Sequence, residues 1–134
     1  MTRINLVKPI DLADQHLLAE YRELPRVFTY VKKYGIPNDI PDKFKFGKGF
    51  LKFFTNKLNF LIQRYNQIVI ELEKRGYSIQ YKELKPYCYG LAKRKEQIEY
   101  TPSKEEIELS LERINEKLNM KPNFYSYYGE KYYE

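Results

Sequence analysis

The chemistry most available to this chain lies in residues 2 to 26, TRINLVKPIDLADQHLLAEYRELPR, where an N-terminal amine stands close in sequence to acids and arginines. Thr2 is small, and a small second residue lets the initiator Met1 be trimmed in most cells, leaving Thr2 with a free α-amine. Such an amine has an ordinary pKa of roughly 7.7 to 8.0, so near neutral pH a useful fraction is unprotonated and nucleophilic. Arg3 beside it disfavours the protonated form further. An amine of this kind attacks an aldehyde carbon and forms an imine. A retained Met1 would displace the nucleophile and impair that chemistry. Taken alone, a Met-Thr start is common and signals nothing.

The acid and arginines sit on the element that follows. From Asp11 onward, Leu17, Tyr21, Leu24 and Phe28 recur at helical spacing. Asp11 is a candidate cap, with Asp14 three residues on and Pro9 just upstream. The other face carries Gln15, His16, Arg22, Glu23 and Arg26. Arg22 and Arg26 are one turn apart and can address neighbouring phosphates, with Glu23 as the acid between them. The competing reading is a solvated face with intrahelical ion pairs such as Glu23 with Arg26. Pro25 removes the hydrogen bond to the Tyr21 carbonyl and is expected to kink the helix.

Composition narrows the partner. The chain has 134 residues, is 43% hydrophobic, and contains 14 Tyr and 8 Phe but no Trp, which suits a single globular domain with one modest core. One Cys (Cys88) and one His can form neither an internal disulfide nor a zinc site, so a reducing, intracellular (cytoplasmic) location is expected, with no metal and no cofactor. No apolar run approaches the roughly 20 residues that span a bilayer. Net charge is +6, unevenly spread: residues 1 to 26 hold 4 basic and 4 acidic groups, residues 27 to 95 hold 15 and 5, and residues 96 to 134 hold 5 and 9. A basic middle segment fits attraction to DNA that weakens as salt rises, or simply a lysine-rich soluble surface.

Along the chain, the first helix is expected from about Leu12 to Tyr34, ending at Gly35, Pro37 and Asn38. Residues 35 to 49 read as a loop in which Lys43, Lys45 and Lys48 alternate with Phe44 and Phe46, either to follow a phosphate backbone or to anchor the loop to the core. A second helix is expected from about Phe50 to Arg75, with Phe54, Leu58, Leu61, Tyr65, Ile68 and Leu72 as its core stripe and Gly76 as its stop. Its polar face carries Lys57, Arg64 and Lys74, for which a wholly structural role stays open. Residues 77 to 101 read as a long connection holding the basic cluster Lys93, Arg94 and Lys95. Ser103 with Glu106 makes a capping box that opens a third helix, whose buried stripe is expected to be Ile107, Leu111, Ile114 and Leu118 and which Pro122 closes. Arg113 and Lys117 lie one turn apart on that glutamate-rich helix. The Tyr-rich tail, NFYSYYGEKYYE, carries too much ring area to stay in water and is expected to fold back. The expected fold is all-α: a compact single domain, residues 1 to 134, of three main helices with long loops.

The strings TRINL, LADQHL, AEYRELPRVF and FYSYYGEKYY resemble the pyrimidine dimer DNA glycosylase family, the UV-damage endonuclease V of large phages. The first 34 residues match nearly letter for letter, residues 51 to 76 more loosely, and residues 100 to 134 in pattern, whereas residues 77 to 99 hardly match. The resemblance implies a monomeric enzyme that acts on damaged double-stranded DNA, removing one base of a cyclobutane pyrimidine dimer and then nicking the abasic site. It implies that Thr2 supplies the amine and that Glu23 stabilises positive charge on the sugar and assists proton transfer. Arg3, Arg22, Arg26, Arg113 and Lys117 match phosphate-holding positions, and Gln15 and His16 match positions lining the site. The base turned out of the helix is, by this resemblance, the partner opposite the lesion. Phe50 stands where the family usually has His, Phe124 where it has Trp and Ser126 where it has Lys, which bears on lesion preference and affinity. The rival expectations are a glycosylase and lyase for another damaged base, a catalytically silent DNA-binding module, and an interaction domain using the Tyr-rich tail.

Overall fold

The computed structural model describes residues 3–131. A 3-10 turn at Pro9–Asp11 leads into α1 (Asp14–Glu23) and α2 (Pro25–Tyr34), followed by α3 (Phe50–Phe54), α4 (Leu58–Lys74), α5 (Pro86–Ala92), α6 (Lys104–Met120) and a hairpin of β1 (Ser126–Tyr127) with β2 (Glu130–Lys131). The fold is all-α apart from that hairpin. Buried residues from Ile4 to Tyr125 form one hydrophobic cluster.

The first expected helix is two. Leu24 keeps right-handed helical angles and donates its N–H to the Glu20 carbonyl, but Pro25, which brings no N–H, opens α2 as a new first turn. Leu17, Leu24 and Phe28 are fully buried as their spacing required. Asp11 does not cap α1: it lies in the 3-10 turn, and the cap position is Ala13, with no side-chain cap bond. Asp14 is used instead to hold the tail.

The second expected helix is also divided, at Thr55 to Lys57, and the groups freed there find side-chain partners. Gln97 donates to the Thr55 carbonyl at 2.9 Å and accepts from the Leu58 N–H at 2.8 Å, while the Lys57 ammonium donates to the Phe53 carbonyl at 2.8 Å. A break whose freed groups find such partners costs less than one that leaves them unpaired. The stripe of Phe54, Leu58, Leu61, Tyr65, Ile68 and Leu72 is buried as expected. Gly76, at φ 93°, ends α4, with Tyr77 N–H bonded to the Leu72 carbonyl and Gly76 N–H to the Glu73 carbonyl. Phe44 packs edge-on against Phe46, Phe50, Phe53 and Phe54, so the 35–49 loop is anchored to the core through that ring.

Residues 77 to 101 are not wholly irregular, since α5 buries Cys88, Leu91 and Ala92 behind Pro86 in its first turn. The Ser103 and Glu106 capping box is present, and Glu106 also accepts from Phe44 N–H and Tyr100 hydroxyl, tying the loop to the start of α6. The buried face of α6 differs from the expected stripe. Ile107 and Leu111 are 38% and 43% exposed, and Ser110, Ile114 and Leu118 face inward. Ser110 is needed there, because its hydroxyl accepts the buried Leu6 N–H at 3.0 Å.

Candidate active site

Residues 3 to 6 lie outside any helix or strand, so their N–H groups need acceptors from elsewhere. Arg3 N–H donates to Glu23 Oε1 at 3.1 Å, and Asn5 donates to Glu20 Oε1 through its N–H at 3.2 Å and its Nδ2 at 2.8 Å. Ile4 enters the core between these bonds and Leu6 just after them. Glu20, fully buried, is paired with Arg64, whose Nη2 donates to Oε1 at 3.0 Å and whose Nε donates to Oε2. Arg64 is therefore internal and structural. Glu23 is the more accessible acid, its side chain 16% exposed, with the Arg26 guanidinium 3.8 Å from Oε1.

Six of the residues expected to meet DNA come together around two cavities that share Arg3 and Lys117. The smaller, about 40 Å³, is lined by Arg3, Asn5, His16, Phe46, Phe50, Arg113 and Lys117, with Ile4 behind them. The larger, about 410 Å³, has Arg3, Gln15, Arg22, Lys117 and Lys121 at polar positions and Leu18, Ala19, Met120, Phe124 and Tyr125 as apolar wall. Arg26 lines neither cavity and sits at the Glu23 end of the site. Cations around a concavity attract anions, and apolar walls with one exposed ring (Phe124, 56%) suit a flat base.

His16 is buried, not displayed on an open polar face. Burial, together with the positive charges of Arg3 and Lys117, lowers its pKa to about 4, so it is neutral near pH 7. Among the described residues neither ring nitrogen has a hydrogen-bond partner, although the ring lies 4.7 Å from that of Tyr125. A buried polar group without a partner is uncommon, and this one borders the cationic cavity.

The tail supplies the far wall. Asp14 accepts from Ser126 hydroxyl at 2.7 Å, Tyr128 N–H at 3.0 Å and Gly129 N–H at 2.9 Å, and from Arg75 at 2.9 Å. These bonds overcome the cost of burial and hold the Asp14 pKa below its ordinary value. Gln15 is engaged twice by Ser126, accepting from its N–H at 2.8 Å and donating to its hydroxyl at 3.0 Å. Ser126, where the resemblance has Lys, thus fixes the orientation of a cavity side chain. Glu20 and Lys121 escaped the sequence reading. Lys121 follows Lys117 by one turn, the spacing that marked Arg113 with Lys117, whereas Glu20 has a partner 44 residues away that no local pattern reveals.

Thr2 lies outside the described residues. Its neighbour does not, and the Arg3 N–H is the atom bonded to Glu23. A family profile described as pyrimidine dimer DNA glycosylase matches residues 1–84. The chain belongs to the pyrimidine dimer DNA glycosylase family. As a DNA repair glycosylase it acts on DNA, and the matched span carries Arg3, Gln15, His16, Arg22, Glu23 and Arg26, while Arg113 and Lys117 on α6 come from beyond it. Among the described residues, no helix is long and apolar enough to cross a membrane.

Proposed function

We propose that this single-domain glycosylase cleaves cyclobutane pyrimidine dimers in duplex DNA through an imine on the Thr2 α-amine and then acts as an abasic-site lyase. The observation that carries the reading is the Arg3 N–H on Glu23 Oε1 at 3.1 Å. Standard bond lengths keep the α-nitrogen of residue 2 within about 4 Å of the Arg3 nitrogen in any conformation. An amine freed by loss of Met1 is thus tethered beside the partly exposed Glu23 carboxylate.

In the proposed sequence the amine attacks C1′ of the 5′ nucleotide of the dimer. The bond from C1′ to the base breaks, its electron pair leaves with the base, and the base takes up a proton. The amine nitrogen loses a proton, its lone pair forms the C1′=N bond as the C1′–O4′ bond breaks, and O4′ takes up a proton, giving the ring-opened imine. A proton then leaves C2′, its electrons form the C2′–C3′ double bond, and the 3′ phosphate departs with the C3′–O pair. Water finally hydrolyses the imine and frees the amine. Glu23 opposes positive charge developing on the sugar and helps move the C2′ proton. Arg3, Arg22, Arg26, Arg113 and Lys117 hold phosphates, and Gln15 and His16 line the site. Phosphate contacts on both sides offset the cost of bending the duplex and extruding a base.

Borohydride reduction during reaction with a dimer-bearing duplex tests this reading. An adduct mapped to residue 2 is expected; an adduct on a lysine side chain instead would refute it.

A further inference from the structure

Three backbone N–H groups of the N-terminal segment meet side-chain acceptors. Arg3 N–H meets Glu23, Asn5 N–H meets Glu20, and Leu6 N–H meets Ser110 on α6. N–H groups two apart in an extended chain point the same way, and carboxylates three apart share one face of a helix, so residues 3 and 5 dock onto α1 in a single register. The two α1 acceptors differ in strength. Glu23 is partly solvated and shared with Arg26, so its single bond to the segment is the weaker of the two. Glu20 has no exposure and receives four donors, two from Asn5 and two from Arg64, which fills the roughly four acceptor positions of a carboxylate. A carboxylate so saturated cannot swing. It lines neither cavity, so it acts on the chemistry only through position.

We propose that Glu20, locked by Arg64, is the positioning residue that sets the register of residues 3 to 5 and thereby keeps the N-terminal amine beside Glu23. The inference rests on the imine reading. A slip of this segment moves the amine while leaving Arg22, Arg113 and Lys117 in place, and displacement of a reacting group by about 1 Å costs about 100-fold in rate.

The test is single-turnover borohydride trapping at saturating protein, on a duplex with a preformed abasic site, followed across pH. Wild-type protein must yield an adduct at residue 2; if it does not, the imine reading itself fails, and positioning falls with it. Given that adduct, Glu20→Gln is expected to lower the plateau rate about 10- to 100-fold. It should also move the midpoint of the pH–rate curve downward, because an amine further from a carboxylate releases its proton more readily. Asn5→Ala, which keeps the buried ion pair and removes one bond to it, covers the case in which Glu20→Gln does not fold and should shift both readouts in the same direction. A wild-type plateau and midpoint in either folded variant would overturn the proposal. So would a lower plateau with an unmoved midpoint, which is the mark of a merely structural role.

Discussion

Arg75→Ala should loosen the tail from α1 and open the larger cavity. The Arg75 side chain has no exposure, and neither does that of Asp14. Its guanidinium donates to Glu71 at 2.8 Å, Asp14 at 2.9 Å and the Leu12 carbonyl at 2.8 Å, and it reaches the Pro9 and Ile10 carbonyls at 3.2 and 3.3 Å. The rings of Tyr127 and Tyr128 flank it, each centred 4.7 Å away. Removing one partner of a buried ion pair costs about 3–5 kcal/mol. Asp14 keeps Ser126, Tyr128 and Gly129 as donors, which favours the low end of that range, and two lost cation–π contacts at about 0.5–1 kcal/mol each restore the middle. A destabilisation of about 4 kcal/mol is expected, or about 15 °C in Tm for a chain of this size. Urea unfolding gives the magnitude. Hydrogen exchange gives the location: Tyr128 and Gly129 amides should lose protection before the core of α4 does. A loss below about 1 kcal/mol, or tail amides as protected as in wild type, would refute the clasp.

Three other outcomes are expected. Glu23→Gln keeps an acceptor for Arg3 N–H and should leave the fold within about 1 kcal/mol of wild type, yet lower base release about 100- to 10,000-fold and trapping on a preformed abasic site less; equal losses on both substrates would contradict the assigned role. Lys117→Gln should weaken duplex binding and reduce the slope of log affinity against log salt by about 0.9, read by fluorescence anisotropy at several salt concentrations; an unchanged slope would remove Lys117 from the phosphate contacts. His16, with a pKa of about 4 in the fold and an ordinary value of 6.5, takes up its proton more readily when the chain is unfolded. Its contribution therefore holds above about pH 6.5 and is lost as pH falls toward 4, by up to about 3 kcal/mol; His16→Asn should flatten that part of the stability curve, and parallel curves for the two proteins would sink the assignment.

What could be read from sequence was local. The α4 stripe from Leu58 to Leu72, the Gly76 stop and the Ser103 box all depend on residues within a turn or two of one another, and the structure keeps each. The face of α6 was misread because the choice of Ser110 over Ile107 and Leu111 depends on Leu6, 104 residues away. The seven residues of α5 are too few to show a period. In the site, Arg113 and Lys117, one turn apart on α6, marked part of the cavity rim, since helical spacing already places such side chains together, whereas the same spacing paired Arg22 with Arg26, which lines neither cavity. Glu20 with Arg64, and the burial of His16, were hidden for the opposite reason: each depends on what another element brings across the core.

The most direct test of the account begins with protein whose Met1 removal has been verified by mass. It is reacted with a duplex carrying one thymine dimer in the presence of borohydride, and the adduct is mapped by peptide sequencing. The account predicts one covalent product, on the α-amine of Thr2, lost when that amine is blocked by reductive methylation. Dimer cleavage that proceeds undiminished with the amine blocked, or with no adduct at residue 2, would contradict it.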